Sequence, residues 1–170
     1  FQFRSGRVKY RIASFVALMF VSWGVMTFTH ELGHLIGGWL GGAQLTKYDI
    51  APWRLPYSFH SPDPHPLLTL WAGPVLGVVI PVIAAALLRR RWAWLIADFC
   101  LLAIGLYLAL AWITGDRFLD TRRLLDAGTH PAWIIIYCAF TIGVGYVRFR
   151  SDVVGYFSTS RSQEDASPAT

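Results

Sequence analysis

Four long apolar segments constrain the fold of this 170-residue chain more than any other feature of its sequence. The segments run from about Ile12 to Leu40, Leu67 to Leu88, Trp92 to Thr114 and Ala132 to Val147. A helix needs roughly 20 consecutive apolar residues to cross a bilayer, and each segment comes near that length. The sequence therefore predicts an all-α integral membrane protein with about four transmembrane helices, in one domain over residues 1–157.

The composition agrees with a membrane protein and argues against the soluble classes. The chain is 55% hydrophobic and 15% charged, whereas soluble domains carry about 25% charged residues. A net charge of +5 would suggest nucleic acid binding in a soluble protein, but the basic residues here flank apolar segments. Lipid interfaces favour that placement, so we expect the lipid bilayer and not nucleic acid as a partner. Cys100 and Cys138 lie inside apolar segments and are interpreted as buried packing residues, not as a disulfide.

The connections between the segments differ in character. Residues 43–66 contain five prolines and are predicted to be extended and turn-rich, not helical. Residues 115–130 mix three Asp and three Arg with amphipathic leucines. Residues 158–170 are polar and are predicted to form a disordered tail. Four crossings would put the end of the first segment, the proline-rich connection and residues 115–130 on one side of the membrane.

The stretch TFTHELGHLIGGWLGG, residues 27–42, places two histidines and one of the chain's two glutamates in the first apolar segment. On a helix, His30 and His34 lie one turn apart and project from the same face. Two imidazoles so placed can bind one Zn²⁺, with Glu31 beside them to act on water. Buried core histidines are the alternative, but ionisable residues in a membrane helix are costly and usually functional. The sequence therefore predicts a zinc site.

Glycines follow this motif at regular spacing. Gly33, Gly37 and Gly41 recur every four residues, and so do Gly38 and Gly42. Such a small-residue face lets another helix approach closely. We expect it to pack helices together, which could bring a third ligand near the metal.

Two histidines do not complete a catalytic zinc site, which usually has three protein ligands and one open position. Asp98 is expected near the opposite face of the membrane, beside the basic turn at residues 89–91. The remaining candidates are the loop histidines and the three aspartates of residues 115–130, which lie on the same side as the motif. They are His60, His65, His130, Asp116, Asp120 and Asp126.

Three motifs in order resemble the site-2 protease family of intramembrane zinc metalloproteases. They are HELGH at 30–34, AGPVLG at 72–77 and LDTRRLL at 119–125, within a resemblance that covers roughly residues 20–130. The second resembles the family's Ala-Gly-Pro-x-x-Asn segment, and the third resembles its Leu-Asp-Gly-x-Arg-x-Leu segment.

The resemblance implies a set of roles. His30, His34 and Asp120 would be the ligands of Zn²⁺, and Glu31 would be the catalytic general base. Two positions depart from the family pattern: Gly77 replaces the usual Asn, and Thr121 replaces the usual Gly. The second departure leaves Asp116 open as the third ligand, and leaves helix-start capping as another explanation for either aspartate.

The activity that the resemblance implies is zinc-dependent hydrolysis of peptide bonds within or beside the bilayer. The substrate would be a membrane protein or peptide, and the location would be multi-pass, in a bacterial cell membrane. The proline-rich connection would serve as a shelter, gate or substrate platform, or else as a plain interfacial loop. A non-proteolytic zinc-binding regulatory protein would not need Glu31. A metal transporter would spread ionisable residues through several segments, whereas here they gather on one side.

Overall fold

The structure is a computed structural model that describes residues 2–51 and 56–158, with the side chains of residues 8–51 and 56–158. Over these residues it contains five helices and one two-stranded sheet. The elements in chain order are α1 (Gln2–Leu40), β1 (Leu45–Asp49), β2 (Tyr57–His60), α2 (Pro66–Leu88), α3 (Arg91–Thr114), α4 (Asp120–Asp126) and α5 (Pro131–Ser158).

Four helices of the described chain are long and apolar enough to cross a membrane, namely α2, α3, α5 and the part of α1 from Val8 onward. The predicted all-α, multi-pass membrane fold is therefore confirmed. Two helices extend beyond the apolar segments, since α1 begins at Gln2 and α5 continues to Ser158. The predicted tail lies, from residue 159 on, outside the described residues.

Helices α1 and α2 pack closely along the glycine face of α1. A Cβ atom on Gly33 would lie 2.8 Å from the Cα atom of Gly73, and one on Gly37 would lie 2.9 Å from the carbonyl oxygen of Leu68. Real Cβ contacts are longer than this, so neither position has room for a side chain. The predicted close helix contact is confirmed, and it sets α2 directly beside the two histidines.

The short helix α4 is held against the transmembrane bundle. The side chain of Leu124 is fully buried in an apolar cluster that includes Leu70 and Leu108. The hydroxyl of Thr121 donates a hydrogen bond of 2.7 Å to the carbonyl oxygen of Leu108. Thr121 thus anchors α4 to α3, and Asp120 faces the bundle interior as a result.

The proline-rich connection contains a structure that the sequence did not predict. Strands β1 and β2 pair antiparallel, with Tyr48 opposite Ser58, so the described part of residues 43–66 includes a hairpin. The prediction that this part is not helical is confirmed. Ser58 is buried at 1% exposure, whereas Tyr57 is exposed and Phe59 and His60 are partly buried. Strand β2 therefore lies against the helices through Ser58, with its start at the surface.

The two cysteines are free thiols, and both are buried. Cys100 packs with Met26 and Ile104, and Cys138 packs with Leu108 and Ile134. Their interpretation as packing residues is confirmed.

Candidate metal centre

His30 and His34 face each other on α1, as their one-turn spacing predicts. Their Nε2 atoms lie 3.1 Å apart, and their rings meet edge to face with centroids 4.8 Å apart. The two side chains are buried, with residue exposures of 5% and 2%. The helix therefore aims two imidazole nitrogens at one point inside the bundle.

Helix α4 brings Asp120 to the same point from 90 residues away along the chain. Its Oδ2 atom lies 2.7 Å from Nε2 of His30 and 3.3 Å from Nε2 of His34. Ligand atoms about 2.0–2.2 Å from Zn²⁺ at tetrahedral angles are separated by about 3.3 Å. Two of the observed separations, 3.1 and 3.3 Å, are close to that value. The third, 2.7 Å between His30 and Asp120, is a hydrogen-bond distance and would have to lengthen around a tetrahedral ion.

His34 is held by its neighbours on α2. Its Nδ1 atom donates a hydrogen bond of 2.9 Å to the carbonyl oxygen of Thr69. Since a carbonyl can only accept, Nδ1 carries a proton. When the ring is neutral, the lone pair is therefore on Nε2 and points toward His30 and Asp120, as a metal ligand requires. Gly73 makes room for the ring, because a Cβ atom there would lie 2.7 Å from Cδ2 of His34.

Asp120 has further partners besides the histidines. The hydroxyl of Tyr107 donates to its Oδ2 atom at 3.3 Å, and Nη1 of Arg123 lies 3.7 Å from its Oδ1 atom. Burial opposes ionisation of this carboxyl, but the charges and hydrogen bonds of His34 and His30 outweigh burial and hold its pKa well below the ordinary value. The side chain is therefore a carboxylate, which is the form that binds cations.

Glu31 follows His30 in the sequence of α1 and is buried at 5% exposure. Its Oε2 atom accepts a hydrogen bond of 3.1 Å from the hydroxyl of Ser58 on β2. His30, Glu31 and His34 offer ligand atoms that all lie within 4.8 Å of one another, so this buried group could hold a metal ion. Asp120 lies against both imidazoles, so the donor set is defined as His30, His34 and Asp120. Glu31 lies next to this set, and its carboxylate is held by the hydrogen bond from Ser58.

Asp116 does not approach the histidines. It is exposed, and its Oδ1 atom accepts a hydrogen bond of 2.9 Å from the backbone N–H of Phe118. That contact is a local turn cap, which matches the alternative explanation given by the sequence. Asp126 is likewise exposed and pairs with Arg122 at 3.1 Å.

The loop histidines are not members of the donor set. His65 and His130 are exposed, and Nδ1 of His130 accepts from the backbone N–H of Ala132 at 3.2 Å. His60 is half-buried with its ring against Gly38, and burial is the largest of the causes that lower its pKa. None of the three makes a hydrogen bond to His30 or His34 among the described contacts.

An apolar cavity of about 400 Å³ opens beside the cluster, between α1 and α3. Thr27, His30, Glu31 and Tyr107 form its polar part. The rest of its lining is apolar or aromatic and includes Met26, Phe99, Leu102, Ala103, Leu106 and Leu110. A hydrophobic segment of another molecule could therefore reach Glu31 from this side.

Two residues of the centre were not predicted from the sequence. Tyr107 belongs to an apolar stretch that contains many aromatic side chains, and Ser58 belongs to a connection with no metal-binding pattern. Neither carries a local signal, because each reaches the centre only through the packing of a separate element against α1.

Comparisons of the chain with protein-family models, with curated proteins and with solved structures found no match in any of the three. The interpretation of the centre therefore depends on its own residues and their geometry.

Proposed function

We propose that this chain is a zinc-dependent intramembrane endopeptidase of the kind that the site-2 protease family represents. The observation that supports it most is the convergence of His30, His34 and Asp120, whose donor atoms lie 2.7–3.3 Å apart. These residues come from two motifs at opposite ends of the resemblance. A buried glutamate beside such a donor set is the arrangement that metal-assisted hydrolysis needs.

Each residue of the centre would have its own role in hydrolysis. His30, His34 and Asp120 would hold Zn²⁺, which supplies a Lewis acid and lowers the pKa of water to about 7. Glu31 would accept the proton of the attacking water and return it to the nitrogen of the leaving amine. Tyr107 and Arg123 would keep the carboxylate of Asp120 in place through the contacts of 3.3 and 3.7 Å.

The cavity supports a hydrophobic peptide as the substrate. Its apolar lining reaches from the bundle surface, where Leu110 is 59% exposed, to Glu31. A membrane-embedded or membrane-proximal segment of another protein matches that lining, whereas a charged soluble peptide would lose its hydration there.

The experiment that tests the function compares the purified wild type with two variants in zinc content and in cleavage of a membrane-helix substrate. The wild type should carry close to one Zn²⁺ per chain and cut the substrate. Glu31→Gln should keep the zinc but lose cleavage by about 10²–10⁴-fold, because an amide cannot accept the proton. His34→Ala should lose both, while His130→Ala, at an exposed histidine, should lose neither.

Different results would support different functions. Normal cleavage by Glu31→Gln would refute the general-base role. Zinc binding by a wild type that cuts no substrate would favour a regulatory zinc-binding protein, and zinc movement across vesicle membranes would favour a transporter.

A further inference from the structure

The hairpin contributes a side chain to the candidate catalytic centre. Ser58 donates its hydroxyl proton to Oε2 of Glu31 at 3.1 Å, across 27 positions of the chain. Both residues are buried, at 1% and 5% exposure. A buried hydroxyl is expected to have a hydrogen-bond partner, and here that partner is the carboxylate beside the donor set.

Strand β2 is fixed at this place from both of its faces. Neighbouring side chains of a strand point to opposite sides. On one side, His60 packs against Gly38 of α1. On the other, the guanidinium of Arg123 lies 5.4 Å from the ring centre of Phe59. These contacts tie β2 to α1 and to α4, which are the two elements that carry the donor set.

A general base needs such a restraint. A glutamate side chain has three rotatable bonds, so its carboxylate can take many positions from a fixed backbone. Proton transfer requires one of its oxygens within about 2.6–3.2 Å of the proton donor. A hydrogen bond to one carboxylate oxygen limits the rotation and leaves the other oxygen available.

We propose that Ser58 is a positioning residue that holds the carboxylate of Glu31 in place for proton transfer. This role rests on the proposed function, since it assumes that Glu31 is the base. It makes the hairpin part of the active site, because displacement of β2 would release Glu31.

An isotope-edited infrared measurement tests the contact without using activity. The chain has only two glutamates, Glu31 and Glu164. In a Glu164→Gln background, ¹³C-labelled glutamate therefore marks the Glu31 carboxyl group alone. Ser58→Ala should shift the labelled band. Thr46→Ala should leave it in place, because the hydroxyl of Thr46 bonds the Phe59 carbonyl oxygen at 2.9 Å, elsewhere in the same hairpin.

Kinetics on the same variants test the role. Ser58→Ala should lower kcat about 10-fold, as loss of a hydrogen bond to a charged group predicts. It should leave KM and zinc content unchanged, since Ser58 is neither one of the three donors nor one of the residues that line the cavity. Ser58→Thr, which keeps the hydroxyl, should recover most of the loss, and Thr46→Ala should match the wild type.

Each other outcome decides against the proposal. An unshifted band, or a shifted band with unchanged kcat, would overturn the positioning role alone. Loss of zinc together with kcat would show a structural role for Ser58 instead. A wild type that cuts no membrane-helix substrate would overturn the proposed function and this role together.

Discussion

Two regions of the described bundle, each with a buried aspartate, differ in how they are built. The first consists of the donor set (His30, His34 and Asp120) together with Glu31, and is called the donor cluster below. The second is the ion pair between Asp98, near the start of α3, and Arg148 on α5. Asp98 and Asp120 are both buried, with exposures of 2% and 4%.

In the second region Arg148 compensates the buried carboxylate of Asp98, and Asp152 interacts with both side chains. Nε of Arg148 lies 2.7 Å from Oδ1 of Asp98, and the guanidinium stacks over the ring of Trp94 at 5.1 Å. Asp98 and Asp152 therefore share one arginine. Its side chain is 46% exposed, where it reaches the more polar surroundings of the helix ends.

The donor cluster also has an arginine beside its carboxylate, since Nη1 of Arg123 lies 3.7 Å from Oδ1 of Asp120. The other oxygen, Oδ2, faces the two imidazoles. The lone pairs of the cluster converge on one point, and an apolar cavity opens beside it. A buried carboxylate beside an arginine is therefore, by itself, a weak indication of a site. Convergent donors next to a cavity are a stronger indication, since they leave a place for a cation and for a substrate.

The largest effect is expected when one donor is removed from the cluster. Asp120→Ala should weaken zinc binding by more than the roughly 10–100-fold that loss of a partner outside the ligand set costs, and it should abolish cleavage. Asp116→Ala is the matched control and should change neither, because its carboxylate only caps the turn at Phe118. Zinc titration with a competing chelator measures both. Equal losses for the two variants would remove the distinction between the aspartates.

A smaller effect is expected from crowding a ligand without removing it. Gly73→Ala places a methyl group against the His34 imidazole, so the ring must shift or α2 must move, at a cost of about 1–3 kcal/mol. Zinc affinity should fall, whereas Gly24→Ala should be neutral because a Cβ atom there meets nothing within 4 Å. Chelator competition and thermal unfolding in detergent provide the measurement. Unchanged zinc affinity in Gly73→Ala would mean that Gly73 does not set the position of His34.

The smallest effect on the metal is expected from the ion pair. Arg148→Ala leaves the Asp98 carboxylate buried without its cation, which should lower the stability of the protein by about 1–3 kcal/mol. Zinc content and cleavage should stay as in the wild type at temperatures where the variant is folded. A loss of zinc at such a temperature would show that the two regions are coupled, and the contrast drawn between them would be wrong.

The sequence alone predicted the features that depend on local pattern. Apolar length predicted the four membrane helices, because a bilayer of fixed thickness demands a minimum run. The one-turn spacing predicted that His30 and His34 share a helix face, because that follows from helix geometry. Glycine at every fourth position predicted the close contact of α1 with another helix. The choice of Asp120 over Asp116 came from motif resemblance and not from any local pattern.

The remaining features depend on how separate elements pack, which no local pattern encodes. Helix α4 turns Asp120 inward because Leu124 and Thr121 anchor it on the bundle. The hairpin brings Ser58 to Glu31 across 27 positions, and α5 brings Arg148 to Asp98 across 50. In each of these contacts, the sequence around one residue does not indicate which distant residue it will meet. Their positions follow from the burial of whole helix faces against one another, and only the folded chain contains that information.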